Sequence, residues 1–321
     1  MSTNDTTAPT VYLGIDIAKD SLQIDTILPG GPALVDNTPA SFKRILKRAA
    51  TWSRKDLINV HVVCEATGGY ERGLLDALHQ AGVTVSLVQP KRVRDFANAA
   101  GILDKTDAID ASVLSRYGTK MEPRITPPPT AVQRELSALV SRRNQLIDTR
   151  VAEQNRASGI VLPELRKMTA DLLRYINAQI KRIEKMIARL IASDEELSAK
   201  VKRLCQLDGV AITTASSILA TMPELGTATG RQMASLAGLA PRARDSGKHK
   251  GRRTIGGGRA PARRALYMAA MTAARMNEKL SALYQRIVAK GKPKKVALTA
   301  VMRQMLNVMN SLLKNPDFAL E

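Results

Sequence analysis

The sequence has few cysteines, few aromatic residues and no long hydrophobic run, and each shortage excludes a class of protein. Cys64 and Cys205 are the two cysteines among 321 residues; with no CxxC pair, they predict neither a disulfide framework nor a structural zinc site. Such cysteine usage is typical of a reducing cytoplasm. Aromatic residues make up 3% of the chain, which disfavours base stacking as the main way of binding single-stranded nucleic acid. No apolar run approaches the ~18 residues of a membrane span, and residues 1–10 are polar, unlike a signal peptide.

Positive charge, by contrast, is abundant and uneven. The chain has 49 Lys and Arg against 29 Asp and Glu, a formal net charge of +20. Residues 199–321 contain 22 Lys and Arg against 6 Asp and Glu, so 16 of the 20 excess charges lie there. Such an excess predicts a polyanionic partner. Because aromatic residues are scarce, contact with phosphates, with base pairing supplied by another strand, fits better than stacking.

Hydrophobic patterning predicts an α/β domain over residues 1–128. The predicted strands cover residues 12–17, 21–28, 33–35, 57–64 and 83–88. The predicted helices cover residues 41–53, the segment containing Leu74, Leu75 and Leu78, residues 92–100, and a segment starting near Asp107.

The periodicity becomes purely helical beyond the prolines at 127–129. Two apolar stripes predict an antiparallel coiled-coil hairpin over residues 129–198, with Pro163 between its helices. The first stripe is Leu136, Leu139 and Leu146. The second, a heptad seam, is Ile176, Ile180, Ile183, Ile187 and Leu190. A hairpin of this kind has little core of its own, so we expect it to pair with another subunit. Residues 199–321 predict a mainly helical domain, including helices over 265–276, 280–289 and 296–313. A turn at Gly209 leads into a helix whose first amides could hold a phosphate.

Four acidic residues form a candidate metal site. Asp16 lies within an apolar strand, Glu65 follows another strand, and Asp107 and Asp110 share one face of a helix. Two unit charges about 4 Å apart repel by roughly 4 kcal/mol near a protein surface, so a fold that gathers them is expected to bind a cation. Carboxylates suit Mg²⁺, with Mn²⁺ as a substitute, and two such ions can act on a phosphodiester. Taken singly, each acid is more often a turn or capping residue, and Asp104 could replace one of the helical pair.

The most basic stretch covers residues 242–264, in which nine cations accompany one acid, Asp245. A solvated charged surface is the alternative interpretation, but this imbalance favours nucleic-acid contact by Arg242, Arg244, Lys248, Lys250, Arg252, Arg253, Arg259, Arg263 and Arg264. Its glycines predict that it forms no regular element. Ser246 also lies here. Nothing local would activate this serine, although a hydroxyl among cations suits attack on a phosphodiester.

Short motifs are spread over nearly the whole chain: GIDIAK at 14–19, CEATGGY at 64–70, KTDAIDA at 105–111, LAPR at 239–242, Ser246-Gly247, and RALYM at 264–268. Together they resemble the motifs of one bacterial family, the DEDD-type insertion-sequence recombinases of the insertion-sequence one-ten family. The resemblance implies a ribonuclease-H-like, resolvase-type DEDD domain over 1–128. A coiled coil over 129–198 and a C-terminal transposase domain with a catalytic serine over 199–321 would follow.

The resemblance also implies a mechanism. Asp16, Glu65, Asp107 and Asp110 would bind Mg²⁺, and Ser246 would form a covalent phosphoserine link to DNA. An element-encoded bridge RNA would pair with target and donor DNA. A homodimer or homotetramer would combine the acids of one subunit with the serine of another, in the bacterial cytoplasm and associated with the nucleoid.

Two other functions remain open at this stage. In a resolvase-like metal-dependent nuclease, water would be the nucleophile and Ser246 would be incidental. In a non-catalytic nucleic-acid-binding scaffold, the acids would have no role in any reaction.

Overall fold

The computed structural model describes residues 10–25, 33–56, 59–242, 245–246, 249–251 and 253–320. The chain divides into two compact units, residues 1–128 and 129–321. The first is mixed α/β and the second is mostly helical. The further domain boundary predicted at residue 198 remains a prediction. The base of the hairpin shares one hydrophobic core with the helices that follow it.

A five-stranded sheet forms the centre of the first unit. Its strands are β1 (Thr10–Ile17), β2 (Ser21–Ile24), β3 (Ala33–Asp36), β4 (Asn59–Glu65) and β5 (Thr84–Val88), in the order β3-β2-β1-β4-β5. The β1–β2 and β2–β3 pairs are antiparallel, whereas the β1–β4 and β4–β5 pairs are parallel. This arrangement is consistent with the ribonuclease-H-like fold, which remains a prediction.

Helices cover both faces of the sheet because the inner strands are apolar on both sides. They are α1 (Pro39–Asp56), α2 (Arg72–Gln80), α3 (Pro90–Ala99) and α4 (Asp107–Met121). Helices α1 and α2 share a core with one face of β4, represented by Val62 and Cys64. Helices α3 and α4 share a core with the other face, represented by Val63.

The second unit is built from helices around one core. These are α5 (Ala131–Ala157), α6 (Pro163–Ser193), α7 (Glu195–Leu204), α8 (Ile212–Thr221), α9 (Gly230–Leu236), α10 (Ala260–Met276), α11 (Glu278–Ala289) and α12 (Lys294–Lys314). Helices α5 and α6 form the predicted hairpin, and the isoleucines of α6 are buried as expected. Its role as a coiled coil between subunits remains a prediction. None of the described helices is long and apolar enough to cross a membrane.

Four sequence-based boundaries or assignments were wrong. Strand β2 ends at Ile24 rather than at residue 28, and residues 26–32 lie outside the described part. Pro163 is the first residue of α6 rather than a break between helices, because proline is compatible with the first helical turn. Helix α10 begins at Ala260, with Pro261 in its first turn, so it includes Arg263 and Arg264.

The fourth wrong assignment concerns the basic stretch of residues 242–264, which was predicted to lack regular structure. It contains a small antiparallel hairpin of β6 (Asp245–Ser246) and β7 (His249–Lys250). Arg242 and Thr254 pair below it through backbone hydrogen bonds of 2.8 and 3.4 Å. Glycine in such a stretch is compatible with a tight hairpin as well as with an irregular loop.

Candidate functional site

Asp16 and Glu65 lie on neighbouring strands at the same edge of the sheet. Strands β1 and β4 are parallel, and their register pairs Ile15 with Cys64. The next residue of each strand is Asp16 or Glu65, so the two side chains lie side by side and project to the same face. Both residues are half-buried. The topology therefore brings together two carboxylates that are 49 positions apart in the chain.

Helix α4 supplies the other two acids. Thr106 is its N-cap, with its hydroxyl oxygen accepting a hydrogen bond from the Ile109 amide at 3.3 Å. Asp107 and Asp110 consequently lie in the first turn, where the helix dipole favours negative charge. Helix α4 packs along β1, on the face that carries Asp16. The acids are thus gathered by secondary-structure packing.

The pKa values of the two strand acids report this crowding. Burial raises the pKa of Asp16, and the charges of Asp110 and Asp107 raise it further. For Glu65, burial and the charges of Asp16 and Asp110 raise the pKa to about 7. The ammonium of Lys105 lowers both pKa values but does not cancel the increase. Burial is the largest cause of both shifts, and a divalent cation would relieve the repulsion that adds to it.

The donor set fits a hydrated magnesium ion better than a closed protein cage. Within the described ranges, no three His, Cys, Asp or Glu side chains form a group that could hold a metal ion by themselves. Mg²⁺, however, usually keeps several waters and binds through one or two carboxylates together with phosphate oxygens of the substrate. Adjacent carboxylates such as Asp16 and Glu65 provide hard oxygen donors of this kind. Mn²⁺ accepts the same ligands.

Glu71 holds the turn that follows Glu65. It is buried, and one carboxylate oxygen accepts hydrogen bonds from the Thr67 hydroxyl at 2.7 Å, the Gly69 amide at 2.8 Å and the Thr67 amide at 3.3 Å. Burial alone would raise the pKa of Glu71, but these hydrogen bonds outweigh it and lower the pKa. Gly68 and Gly69 have φ angles of +80° and +128°, which glycine adopts most readily. Sequence reasoning missed Glu71, although a glutamate next to a Gly-Gly turn was an available signal.

In the second unit, Ser246 lies on strand β6, with its backbone paired to His249. Asp245 anchors this hairpin by accepting hydrogen bonds from Arg253 at 2.6 and 2.8 Å and from the Gly251 amide at 3.1 Å. The Arg253 guanidinium accordingly lowers the pKa of Asp245. The side chain of Ser246 is outside the described part of the structure, as is that of Lys250. Residues 244, 248 and 252, predicted as Arg244, Lys248 and Arg252 contacts, also lie outside it.

Several of the candidate nucleic-acid contacts have partners within the protein. Arg259 forms a two-pronged ion pair with Glu224 at 2.5 and 2.7 Å and donates to the Thr221 carbonyl. Arg263 donates to the carbonyls of Ala237 and Gly257. These contacts join α10 to the segments around it. Sequence alone could not separate such structural cations from the rest.

Arg242, Arg253 and Arg264 are more accessible. Arg242 is exposed, and the side chain of Arg253 is 50% exposed beside Asp245. Arg264 pairs with Asp148 of α5 at 2.8 Å, but both side chains are 58% exposed. An exposed ion pair of this type contributes little to stability and can exchange partners. Nucleic-acid contact by all nine cations remains a prediction.

Comparison with known proteins identifies the family. The DEDD transposase model of the IS110 family matches residues 13–164, and a second model, described as transposase IS116/IS110/IS902 family, matches residues 201–285. The pilin gene-inverting protein of Moraxella bovis is 28% identical over 311 residues, which cover 94% of this chain and 95% of the relative. The transposase for insertion sequence element IS1111A of Coxiella burnetii is 25% identical over 265 residues, covering 73% of this chain and 70% of the relative. The chain belongs to the IS110 family of insertion-sequence transposases, as its motifs predicted.

Proposed function

We propose that this protein is a site-specific DNA recombinase of an insertion sequence that cuts and rejoins DNA through a phosphoserine intermediate. The observation that carries the proposal is the convergence of Asp16, Glu65 and the Asp107–Asp110 pair at one edge of the sheet. Relatives named for transposition and for gene inversion are consistent with DNA rearrangement.

In this proposal the four acids hold Mg²⁺ or Mn²⁺ together with waters and phosphate oxygens of the DNA, with one or two carboxylates for each ion. When bound, the ion would stabilise charge on the phosphate and its leaving oxygen. Asp16 and Glu65 provide adjacent oxygens from rigid strands, whereas Asp107 and Asp110 provide theirs from the first turn of α4. The repulsion between carboxylates that helps to raise the pKa values of Asp16 and Glu65 also favours a bound cation, which would relieve it.

Ser246 is the proposed nucleophile. A bond forms between its Oγ and the scissile phosphorus as one phosphodiester P–O bond breaks; the serine loses its proton, and the leaving oxygen gains one. Reversal with a different strand end rejoins the DNA and frees the serine. The ion pair between Asp245 and Arg253 anchors the hairpin of β6 and β7, which carries this serine.

An element-encoded bridge RNA is proposed to select target and donor DNA. The large cation excess with few aromatic residues supports this division of labour, in which base pairing reads sequence while the protein contacts phosphates. Sequencing the RNA that purifies with the protein tests it. A single defined transcript is the expected result, and random cellular RNA would contradict guidance.

Assembly into a homodimer or homotetramer is also proposed. Leu165, Met168, Leu172 and Tyr175 follow three- and four-residue steps along the first half of α6, and all four are at least 44% exposed. An exposed apolar stripe with this spacing suits a helix from another subunit. Sedimentation of the purified protein measures the state, and a monomer at micromolar concentration would contradict the proposal.

A metal-dependent nuclease is the second candidate, because all four acids lie within residues 1–128 and could activate water without Ser246. Incubation with DNA carrying the element ends, followed by denaturing gel analysis, separates the two. We expect a covalent protein–DNA adduct that Ser246→Ala abolishes and that Asp107→Asn reduces by at least about 100-fold. An adduct that persists in Ser246→Ala would refute the nucleophile, and metal-dependent cutting without an adduct would favour the nuclease. Unchanged activity in Asp107→Asn would favour a scaffold.

A further inference from the structure

The contact between α4 and β1 follows a regular register. Tyr12, Gly14 and Asp16 are alternate residues of β1, so they share one face of the sheet. Gly118 of α4 lies against Tyr12, and Ser115 lies against Gly14. The helix therefore runs antiparallel to the strand, and its preceding turns, with Asp110 and then Asp107, approach Asp16.

Gly14 permits an unusually close approach. A Cβ atom at this position would lie 2.0 Å from the Ala111 carbonyl oxygen, 2.6 Å from the Ser115 amide nitrogen and 2.9 Å from the Leu114 Cβ. The backbone of α4 thus rests directly on the backbone of β1. No residue other than glycine fits there without moving the helix.

Ser115 fixes where along the strand this approach occurs. Its Oγ accepts a hydrogen bond from the Gly14 amide at 2.8 Å, and the residue is fully buried. The Gly14 carbonyl is used separately, as the acceptor for the Asp25 amide. Without the serine hydroxyl, the buried Gly14 amide would lose this partner, which is costly in a packed interior.

The position of the acids depends on this register. Two residues of β1 rise about 6.6 Å, which is close to the rise of about 5.4 Å for one turn of α4. Going from Gly14 to Asp16 along β1 therefore corresponds to going about one turn from Ser115 towards the start of α4. This places Asp16 beside the part of the helix that carries the acids. Moving the helix by one residue would rotate its contact face by about 100°. The acids would then no longer face Asp16 and Glu65.

We propose that the contact between Gly14 and Ser115 is a register lock that positions the Asp107–Asp110 pair against the strand acids. Ser115 is then a positioning residue of the proposed metal centre, and in this respect the inference rests on the proposed function. Outer residues that orient metal-binding carboxylates typically change metal affinity when removed, even though they do not touch the ion.

The test compares Ser115→Ala with Ser112→Ala, the same substitution on the same helix at a partly exposed position. Mn²⁺ binding to the full-length protein is measured by electron paramagnetic resonance, well below the unfolding temperature of each variant. We expect Ser115→Ala to raise the dissociation constant roughly 10-fold and Ser112→Ala to leave it unchanged. The Mn²⁺ concentration for half-maximal DNA adduct formation should shift by the same factor, while the rate at saturating Mn²⁺ stays within about 2-fold. A purely structural role of Ser115 would not change the Mn²⁺ requirement while leaving the rate at saturating Mn²⁺ unchanged.

Hydrogen exchange at the Gly14 amide tests the lock without metal or DNA. We expect faster exchange in Ser115→Ala than in Ser112→Ala, and equal exchange would overturn the lock. Faster exchange with unchanged Mn²⁺ affinity would overturn its positioning role. If the parent bound no Mn²⁺ and formed no adduct, the proposed function would fail, and the exchange result alone would decide the lock. Should Ser115→Ala fail to fold, Ser115→Cys retains only a weak acceptor, so its Gly14 amide is expected to exchange faster than that of the parent, and equal exchange would overturn the lock.

Discussion

Carboxylates crowd together in the first unit with Lys105 as the cation that offsets them, whereas cations in the basic stretch of the second unit have partners. Of the five candidate nucleic-acid contacts whose side chains are described, Arg253, Arg259, Arg263 and Arg264 each bond to a carboxylate or carbonyl. Each region brings together charges of one sign. They differ in what holds the charges in place.

The acids are held in place by the packing of strands and a helix, whereas the cations are held in place by hydrogen bonds and ion pairs. The acids meet because β1, β4 and α4 pack closely, so their mutual repulsion remains and favours a ligand cation. The basic stretch is organised by its ion pairs, above all those of Asp245 and Glu224. Repulsion that remains between buried carboxylates therefore indicates a cation-binding site more directly than the number of like charges in a stretch does.

Gly14→Val tests the role of packing and should have the largest effect. The added side chain would clash with the backbone of α4, so we expect a loss of about 3 kcal/mol or more in the free energy of unfolding, or no soluble protein. Gly256→Ala is the control, since a Cβ there meets nothing within 4 Å and the change should be nearly neutral. Urea unfolding measures both. A folded Gly14→Val protein of normal stability would show that packing does not hold the acids.

Arg259→Ala tests the role of pairing in the basic stretch. It leaves the partly buried Glu224 carboxylate without its two-pronged partner, so we expect a loss of about 2 to 3 kcal/mol in unfolding free energy. The exposed Arg242→Ala should leave stability nearly unchanged and instead reduce the log–log salt slope of DNA binding by about 0.9 if it contacts one phosphate. Thermal unfolding and DNA titrations at several salt concentrations measure the two effects. The reverse pattern would contradict the assignment.

Glu71→Gln tests a carboxylate that is satisfied rather than crowded. Its folded pKa is lowered, so its ionised form stabilises the fold above the unfolded value of 4.5, and this contribution is lost as pH falls through the folded pKa. We expect a loss of about 1 to 2 kcal/mol at pH 7, since glutamine keeps one acceptor oxygen but not the charge. The loss should shrink under strongly acidic conditions. A constant effect at every pH would refute the assigned charge.

Glu65→Gln is the matched substitution with the opposite expected sign. Because the folded pKa of Glu65 is about 7 and its ordinary value is 4.5, the folded state binds more protons between these values, and stability falls as pH rises through this window. Glutamine removes that loss, so we expect a gain on the order of 1 kcal/mol at pH 8, after allowance for solvent screening of a half-buried group. Unfolding at pH 5 and pH 8 without metal measures it. Destabilisation by Glu65→Gln at pH 8 would contradict the raised pKa of Glu65.

Local sequence patterns predicted most of the elements. Apolar alternation and helical spacing identified the strands and helices of the sheet domain, and the isoleucines of α6 identified the buried side of the hairpin. Errors occurred where one residue type permits two structures. Pro163 can end one helix or begin another, and the glycines after Ser246 suit a loop or a tight hairpin.

The site was only partly predictable for a related reason. The spacing of Asp107 and Asp110 places them on one helical face, but nothing local shows that Asp16 and Glu65 lie side by side. Likewise, nothing in the sequence distinguishes Arg259 from Arg242. The fold shows that Arg259 pairs with Glu224. Ser115 was missed because its partner, Gly14, is 101 positions away in the chain. Glu71 was missed although its partners, Thr67 and Gly69, are its near neighbours in the sequence.

The sequence by itself determined the periodic elements, the cation excess and the family, because these depend on residue type and on neighbours along the chain. Tertiary structure decided which acids meet, which arginines are engaged, and where α4 rests on β1. Those outcomes depend on strand register and on the absence of a side chain at Gly14. Both are set by packing between segments that are far apart in the chain.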